Sequence, residues 1–503
     1  MKLNKSIYTS LFLAGLVAFS SCDKEFLELT PRGTELEGNF YQNETQVMQG
    51  LVAVYDVMQW GNSGGYTMKQ PLLTVASDEA HAGGGSATDQ VSWVAWDNFT
   101  VDPFISPSTG LWQKNFTGVY RANLILTKIE EAPALSQAFK TRAIAEAKTL
   151  RAYFYFDLVR FFGRVPLITG AIPTSDLYSQ KQATPAEIYA QIEKDLKEAR
   201  VDLPSSVPAT EKGRLTKYAA TALLGKAIMH QNDNGRMAEA AALFKEVNTA
   251  SNYQLLQNYG DIFKPDNQFN AESILEIPHS TKGVWGDWGW VNGGEGNVAP
   301  QFVGPENYNG PLYSGGWGFA PISLDLVAAM TNADMTRDPR FEHTIIDGKA
   351  LKAQGASYNP RYQNTDYFIK KYAPYASAKS PVGTPELNWP INEIEIRLAD
   401  TYLLEAEALV RSGGDATRAK MLLDAVRARV GLPSVPATLD NIYRERQLEL
   451  ATEGHRFFDL VRTGRAAAVL GPLGFKANRN EFLPIPQQEI DITNSTITQN
   501  PGY

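Results

Sequence analysis

The stretch Glu146-Ala147-Lys148-Thr149-Leu150-Arg151-Ala152-Tyr153-Phe154-Tyr155-Phe156-Asp157-Leu158-Val159, closed by Gly163-Arg164-Val165-Pro166, decides the fold. Ala147, Leu150, Phe154, Leu158 and Phe161 recur at steps of three and four, the period of one helix face. Tyr153 and Phe156 add aromatics on other faces, so a helix over 138–162 is expected to be covered on more than one side. Gly163 and Pro166 end it, since glycine closes helices and proline cannot continue them.

Outward from this helix the same period recurs. Val47, Leu51, Val54 and Met58 mark a helix over 44–58, and another covers 111–131. Thr184, Pro185 and Glu187 supply a cap, a first-turn proline and a capping box for a helix that ends at Leu203-Pro204. Further helices are expected at 216–231, 236–249, 394–411, 416–430 and 439–453. Ile192, Leu196, Ala199 and Pro204 match the second half of a tetratricopeptide unit. So do Ala419, Leu423, Val426 and Pro433, with Ala406 on the partner helix. Leu224, Gly225 and Ile228, followed by Ala240, Phe244 and Val247, fit a third unit. Such spacings describe many helix pairs, but three in one chain indicate a mainly α, tetratricopeptide-like helical repeat scaffold. Residues 61–107 read as loops. Residues 251–393 read as long loop-rich insertions with a few short β-strands near 273–277 and 367–372. A run this long inside a domain usually carries function.

Cys22 is the one cysteine in 503 residues, so no internal disulfide can form. Lys2 and Lys5, an apolar run over 7–19 and the small pair Ser20-Ser21 precede it, the layout of a signal peptide over 1–21. The apolar run is short for a membrane span. Cys22 is then the expected lipidation site of a bacterial lipoprotein, with residues 22–40 as a tether and 41–503 as a single domain. That domain divides into a first half over about 41–250, a loop-rich region over 251–393 and a helical second half over 394–503. A net charge of −8 without any basic block excludes nucleic acid as a natural partner.

An ordered series of motifs then resembles one family nearly end to end. It comprises Phe26-Leu27 after Cys22, Phe40-Tyr41 with Tyr55, and Trp112, Tyr120 and Asn123 on one helix, then the stretch from Glu146 to Pro166. It continues with Arg397-Leu398-Ala399-Asp400, Glu405-Ala406-Glu407-Ala408, the run from Val426 to Leu432, and Glu445-Arg446 with Glu453-Gly454-His455-Arg456. It closes on Pro484-Ile485-Pro486 and Gln499-Asn500-Pro501-Gly502-Tyr503. The chain resembles the SusD/RagB family of Bacteroidetes outer-membrane nutrient-binding lipoproteins. The resemblance implies a loop-built ligand site, no catalysis, and a lid role over a TonB-dependent (SusC-like) transporter. Asp23, Lys24 and Glu25 look like the surface-export signal of such lipoproteins, which implies an outer-membrane anchor facing the cell exterior.

Motifs with catalytic or metal-binding looks carry little weight. Gly61-Asn62-Ser63-Gly64-Gly65 fits a nucleophile-elbow pattern but follows a helix where a strand is required, so it reads as a turn. Five histidines show no ligand spacing, and one cysteine excludes thiolate metal sites. Asn232-Asp233-Asn234-Gly235 lacks the glutamate of a calcium loop and reads as a helix–helix turn. No cofactor is expected; a structural calcium is neither indicated nor excluded. Glu445, Arg446, Glu453, Arg456, Asp459 and Arg462 read as a structural ion-pair network on continuous helix.

Tryptophan is more informative. Trp93 and Trp96 lie in one Gly-rich segment, and Trp285, Trp288, Trp290 and Trp317 in another. Sugar rings stack on aromatic planes, and their hydroxyls need nearby polar groups. The candidate glycan contacts are these six tryptophans with Asp78, His81, Asn98, Asp287 and Tyr308, and the resemblance implies that the two segments meet on one face. Residues 77–100 and 283–321 contain no Lys or Arg, so the expected ligand is a neutral or amino-sugar oligosaccharide, unless Lys69, Lys352, Lys370 or Lys371 folds into the site. The expected function is capture of oligosaccharides for a partner transporter. A peptide ligand on the same fold is the alternative, and a glycoside hydrolase, with two carboxylates at a set separation, is the remote one.

Overall fold

The structure is a computed structural model that describes residues 40–61, 65–132, 134–282, 294–493 and 495–503. The helix of the deciding stretch spans Gln137–Phe162. The Ser136 hydroxyl caps it by accepting from the Phe139 amide, and Gly163 ends it at φ 68°. From Thr149 to Phe162 every residue is buried, which explains aromatics on all its faces. The helices on either side, Ser108–Glu131 and Pro185–Asp202, cover it. Gly118 sits where the first crosses it: a Cβ there would stand 2.3 Å from the Phe154 ring. Arg151 ties three helices together. Its guanidinium donates to both carboxylate oxygens of Asp195, at 2.7 and 2.8 Å, and to Asn123 Oδ1 at 2.8 Å. A buried cation of this kind is tolerated only with such complete pairing.

The helices pack in chain order. Ser108–Glu131, Gln137–Phe162, Pro185–Asp202, Lys217–Gln231 and Met237–Asn248 each lie against the next. Met237–Asn248 then packs on Leu398–Ser412, which packs on Ala416–Arg429. This neighbour-to-neighbour stacking is the repeat scaffold expected. The capping box forms as expected, with Thr184 and Glu187 each accepting from the other's amide. Asn232–Gly235 forms the expected turn, with Asp233 Oδ1 accepting from the Gly235 amide.

The loop-rich stretch is an insertion into this array. It enters on the strand Ser273–Ile277 and leaves on Glu393–Arg397; the two pair antiparallel, Ser273 opposite Arg397 and Ile277 opposite Glu393. The helix expected from 394 therefore begins at Leu398, because residues 393–397 close the insertion. Among the described residues, three further antiparallel pairs of short strands stiffen the chain.

Two readings change. Residues 61–107 are not all loop: Lys69–Val75 and Val91–Asp97 are helices of seven residues. Most of their residues are buried, so no polar face gave a helical period to read. The helix expected over 439–453 stops at Glu449, and Arg456–Arg462 is a separate helix. The ion-pair network itself is present. Arg446 pairs with Asp400 and Asp459, Arg462 with Glu407, and Arg397 with Glu272, Glu449 and Glu453.

Candidate functional site

The two Gly-rich segments meet. Residues 79–84 run antiparallel beside 318–323, joined by the amides of Gly84 to Gly318 O at 3.0 Å, Ala320 to Ala82 O at 3.0 Å, His81 to Pro321 O at 2.9 Å and Ser323 to Glu79 O at 2.9 Å. The approach depends on Gly84, at φ 81°, where a Cβ would stand 2.3 Å from the Phe319 ring. A third segment joins through the Tyr362 amide, which donates to Gly84 O at 3.0 Å.

Beneath this junction lies an aromatic stack. Phe302 and Phe319 are parallel with centroids 4.0 Å apart, and Trp93 lies 4.6 Å from Phe302. Above it are two half-buried rings, Tyr66 at 5.0 Å and Trp317 at 6.0 Å from Phe302. Tyr66 and Trp317 stand 6.1 Å apart, their planes inclined by 58°. The Thr67 amide, donating to Gly61 O at 2.8 Å, closes the loop that presents Tyr66. Polar groups lie on the segments that meet here. Asp89 accepts from the Gly85 amide at 2.8 Å, Asn307 is exposed, and Arg361 lies beside Gly85 and Gly318 while pairing with Glu306 at 3.0 Å. Burial, reinforced by the charge of Asp89, raises the Tyr66 hydroxyl above its ordinary pKa, so it is a neutral donor at physiological pH.

A clamp under the junction sets its geometry. Asp97, buried, accepts from the Ala82 amide at 2.9 Å and from Gln363 Nε2 at 3.0 Å, while Gln363 Oε1 accepts from the Gly83 amide at 2.9 Å. His81 Nδ1 lies 3.8 Å from the same carboxylate, whose attraction raises the imidazole pKa despite partial burial.

These facts correct several expected contacts. Trp93 and Trp96 are not loop residues: they lie on Val91–Asp97, 0% and 3% exposed, with Trp93 Nε1 donating to Tyr66 O. Trp93 is part of the floor and Trp96 packs on Phe457, 5.5 Å between ring centroids, so neither ring offers a face to a ligand. Asp78 is committed to the scaffold by a two-point pair with Arg456 at 2.8 Å. Tyr308 is buried in a separate cluster with Tyr313, Tyr358 and Phe368. Asn98 is exposed, and its amide closes on Val94 O at the end of the helix. His81 and Trp317 do reach the junction. Trp285, Trp288, Trp290 and Asp287 lie outside the described residues, as do the signal, Cys22 and the tether up to residue 39. On either side of the undescribed residues 283–293, the Ser280 amide donates to Glu295 O at 2.8 Å. Gly294 there shares a small cavity with Gly61 and Trp60, at the root of the Tyr66 loop.

Of the four lysines that threatened a neutral site, Lys69 and Lys371 are buried in ion pairs with Asp157, Glu395 and Glu453, and Lys352 pairs with Asp366. Lys370 donates to Glu342 O. Sequence reasoning missed Tyr66 and Arg361. Tyr66 follows a Gly-rich turn, a signal that was readable; Arg361 comes from a segment almost 300 residues away and left none. Among the described residues no group of His, Cys, Asp and Glu is placed to hold a metal ion, and no helix is long and apolar enough to cross a membrane.

A helical repeat array whose insertion meets an N-terminal segment in a half-exposed aromatic face has the construction of a binding protein. The chain belongs to the SusD family: that family's model matches residues 291–503, and a second, described as "Starch-binding associating with outer membrane", matches residues 25–229. A solved "Laminarin binding SusD-like protein" is 46% identical with a TM-score of 0.86, over 92% of this chain and 100% of that one. Surface glycan-binding protein A from Bacteroides thetaiotaomicron, solved in complex with laminarihexaose, is 30% identical with a TM-score of 0.84, over 91% and 99%. The starch-binding protein SusD of the same organism is 25% identical over 83% of this chain and 84% of its own. These relatives are named as binding proteins, not enzymes.

Proposed function

We propose that this protein is an outer-membrane lipoprotein, anchored through Cys22 and facing the cell exterior, that captures a neutral laminarin-type glucan and passes it to a TonB-dependent transporter. The inclined pair Tyr66–Trp317 carries the reading. Two half-exposed rings held on a packed aromatic floor stack on sugar faces without further ordering cost. Asp89, Asn307 and Arg361 supply hydroxyl partners, and Trp285, Trp288, Trp290 and Asp287 are proposed as further contacts. Arg361, the cation that the described residues bring beside Gly85 and Gly318, is offset by Glu306 and Asp89, which suits an uncharged ligand. The names of the two structural relatives place laminarin and laminarihexaose first among neutral glucans to try. Affinity electrophoresis of the soluble chain in laminarin tests the reading: retardation that Trp317→Ala abolishes supports it, and unretarded migration of the wild-type chain overturns it.

A further inference from the structure

A cleft of about 990 Å³ lies outside the aromatic face, between residues 257–266, the helix Phe341–Thr344 and residues 370–378. Its wall is built with care. Gly260 lets the chain press against His343, whose Nδ1 would stand 2.3 Å from a Cβ there. Asp261 and Lys264 neutralise each other at 2.6 Å. Gln257 and Asp266 are exposed on this wall with no hydrogen-bond partner among the described residues, leaving an amide and a carboxylate free. Tyr375 and His343 present ring surfaces beside them. The cleft is also close to the proposed glucan face. Tyr375 pairs with Tyr313 across a backbone bridge, with ring centroids 5.5 Å apart. Trp317 follows Tyr313 by four positions, so their Cα atoms lie no more than about 14 Å apart.

We propose that this cleft is a second saccharide subsite, engaged by the part of a long neutral glucan that extends beyond Tyr66 and Trp317. It rests on the reading that the aromatic face binds a glucan. A carboxylate and an amide on one wall accept and donate to adjacent sugar hydroxyls, while the tyrosine and histidine rings cover C–H faces. Occupying two linked subsites multiplies the affinity for polymer over that for short fragments, because the second contact is intramolecular.

The test is titration of the soluble chain with laminaritriose and with polymeric laminarin, comparing wild type, Trp317→Ala and the double variant Gln257→Ala/Asp266→Ala. Both cleft side chains are exposed and unbonded, so the double variant should melt as wild type does. The expected result is at least a threefold loss of laminarin affinity in the double variant, with laminaritriose affinity changed less than twofold, and loss of both in Trp317→Ala. Wild-type laminarin affinity in the double variant overturns the cleft assignment alone. A double variant unchanged toward laminarin but weakened toward a short-peptide library also overturns it, and gives the cleft to peptides. A wild-type chain that binds neither saccharide overturns the glucan reading and the subsite with it.

Discussion

Trp317 and Tyr66, 251 positions apart in the chain, stand 6.1 Å from each other with planes inclined by 58°, over a floor made by Phe302, Phe319 and Trp93. The floor packs beneath both rings, so the pair is held as one preformed surface. Replacing Trp317 with alanine removes half of that surface while leaving the floor packed. A loss of at least tenfold in glucan affinity, about 1.4 kcal/mol, is expected by calorimetry on the folded variant.

The junction depends on Gln363, whose amide joins Asp97 to the Gly83 amide. Gln363→Ala leaves a buried carboxylate and a backbone amide each short of a partner. Glucan affinity should fall severalfold although Gln363 touches neither ring, and hydrogen exchange at Gly83 and Gly84 should accelerate. Unchanged exchange would show that the clamp does not hold the loop.

Charge at the face predicts selectivity. Arg361 is matched by Glu306 and has Asp89 nearby, so a polyuronate meets no surplus of cations. Alginate should bind at least tenfold more weakly than laminarin. Glu306→Gln, which frees the guanidinium, should narrow that gap. A stronger response to alginate than to laminarin would refute the neutral-ligand reading.

Glu79 predicts a pH effect on stability. Burial, with Asp78 as the next cause, raises its carboxyl from 4.5 to about 8. The folded chain therefore keeps a proton that the unfolded chain releases near pH 4.5. Stability from this group is complete below that value and is lost as pH rises to about 8. Between pH 5 and 8 the wild-type chain should lose stability relative to Glu79→Gln, by on the order of 1 kcal/mol per pH unit. Parallel denaturation curves across this range would contradict the burial argument.

Gly118 predicts the stability of the helix array. A methyl group there meets the Phe154 ring at 2.3 Å, inside a closely packed crossing. Gly118→Ala should destabilise by about 1–3 kcal/mol, despite alanine's better helix propensity, as read from urea denaturation.

The sequence by itself determined the scaffold. Helix periods, caps and closing glycines act over a few residues, so the long helix to Phe162, the capping box at Thr184 and the paired helices were all legible locally. The short helices Lys69–Val75 and Val91–Asp97 were not, because most of their residues are buried and no polar alternation marks their period. For the same reason Trp93 and Trp96 looked like free loop aromatics when both are buried, Trp93 in the floor and Trp96 against Phe457. Composition also fixed the shortage of cations in the two Gly-rich segments, which their folding together preserves. Only the tertiary structure decided which aromatic faces stay open, which carboxylates serve the scaffold, as Asp78 does with Arg456, and that Arg361 arrives at the face. Exposure and pairing of this kind depend on contacts between segments hundreds of residues apart, and no local pattern in the chain encodes which of two similar side chains ends on the surface.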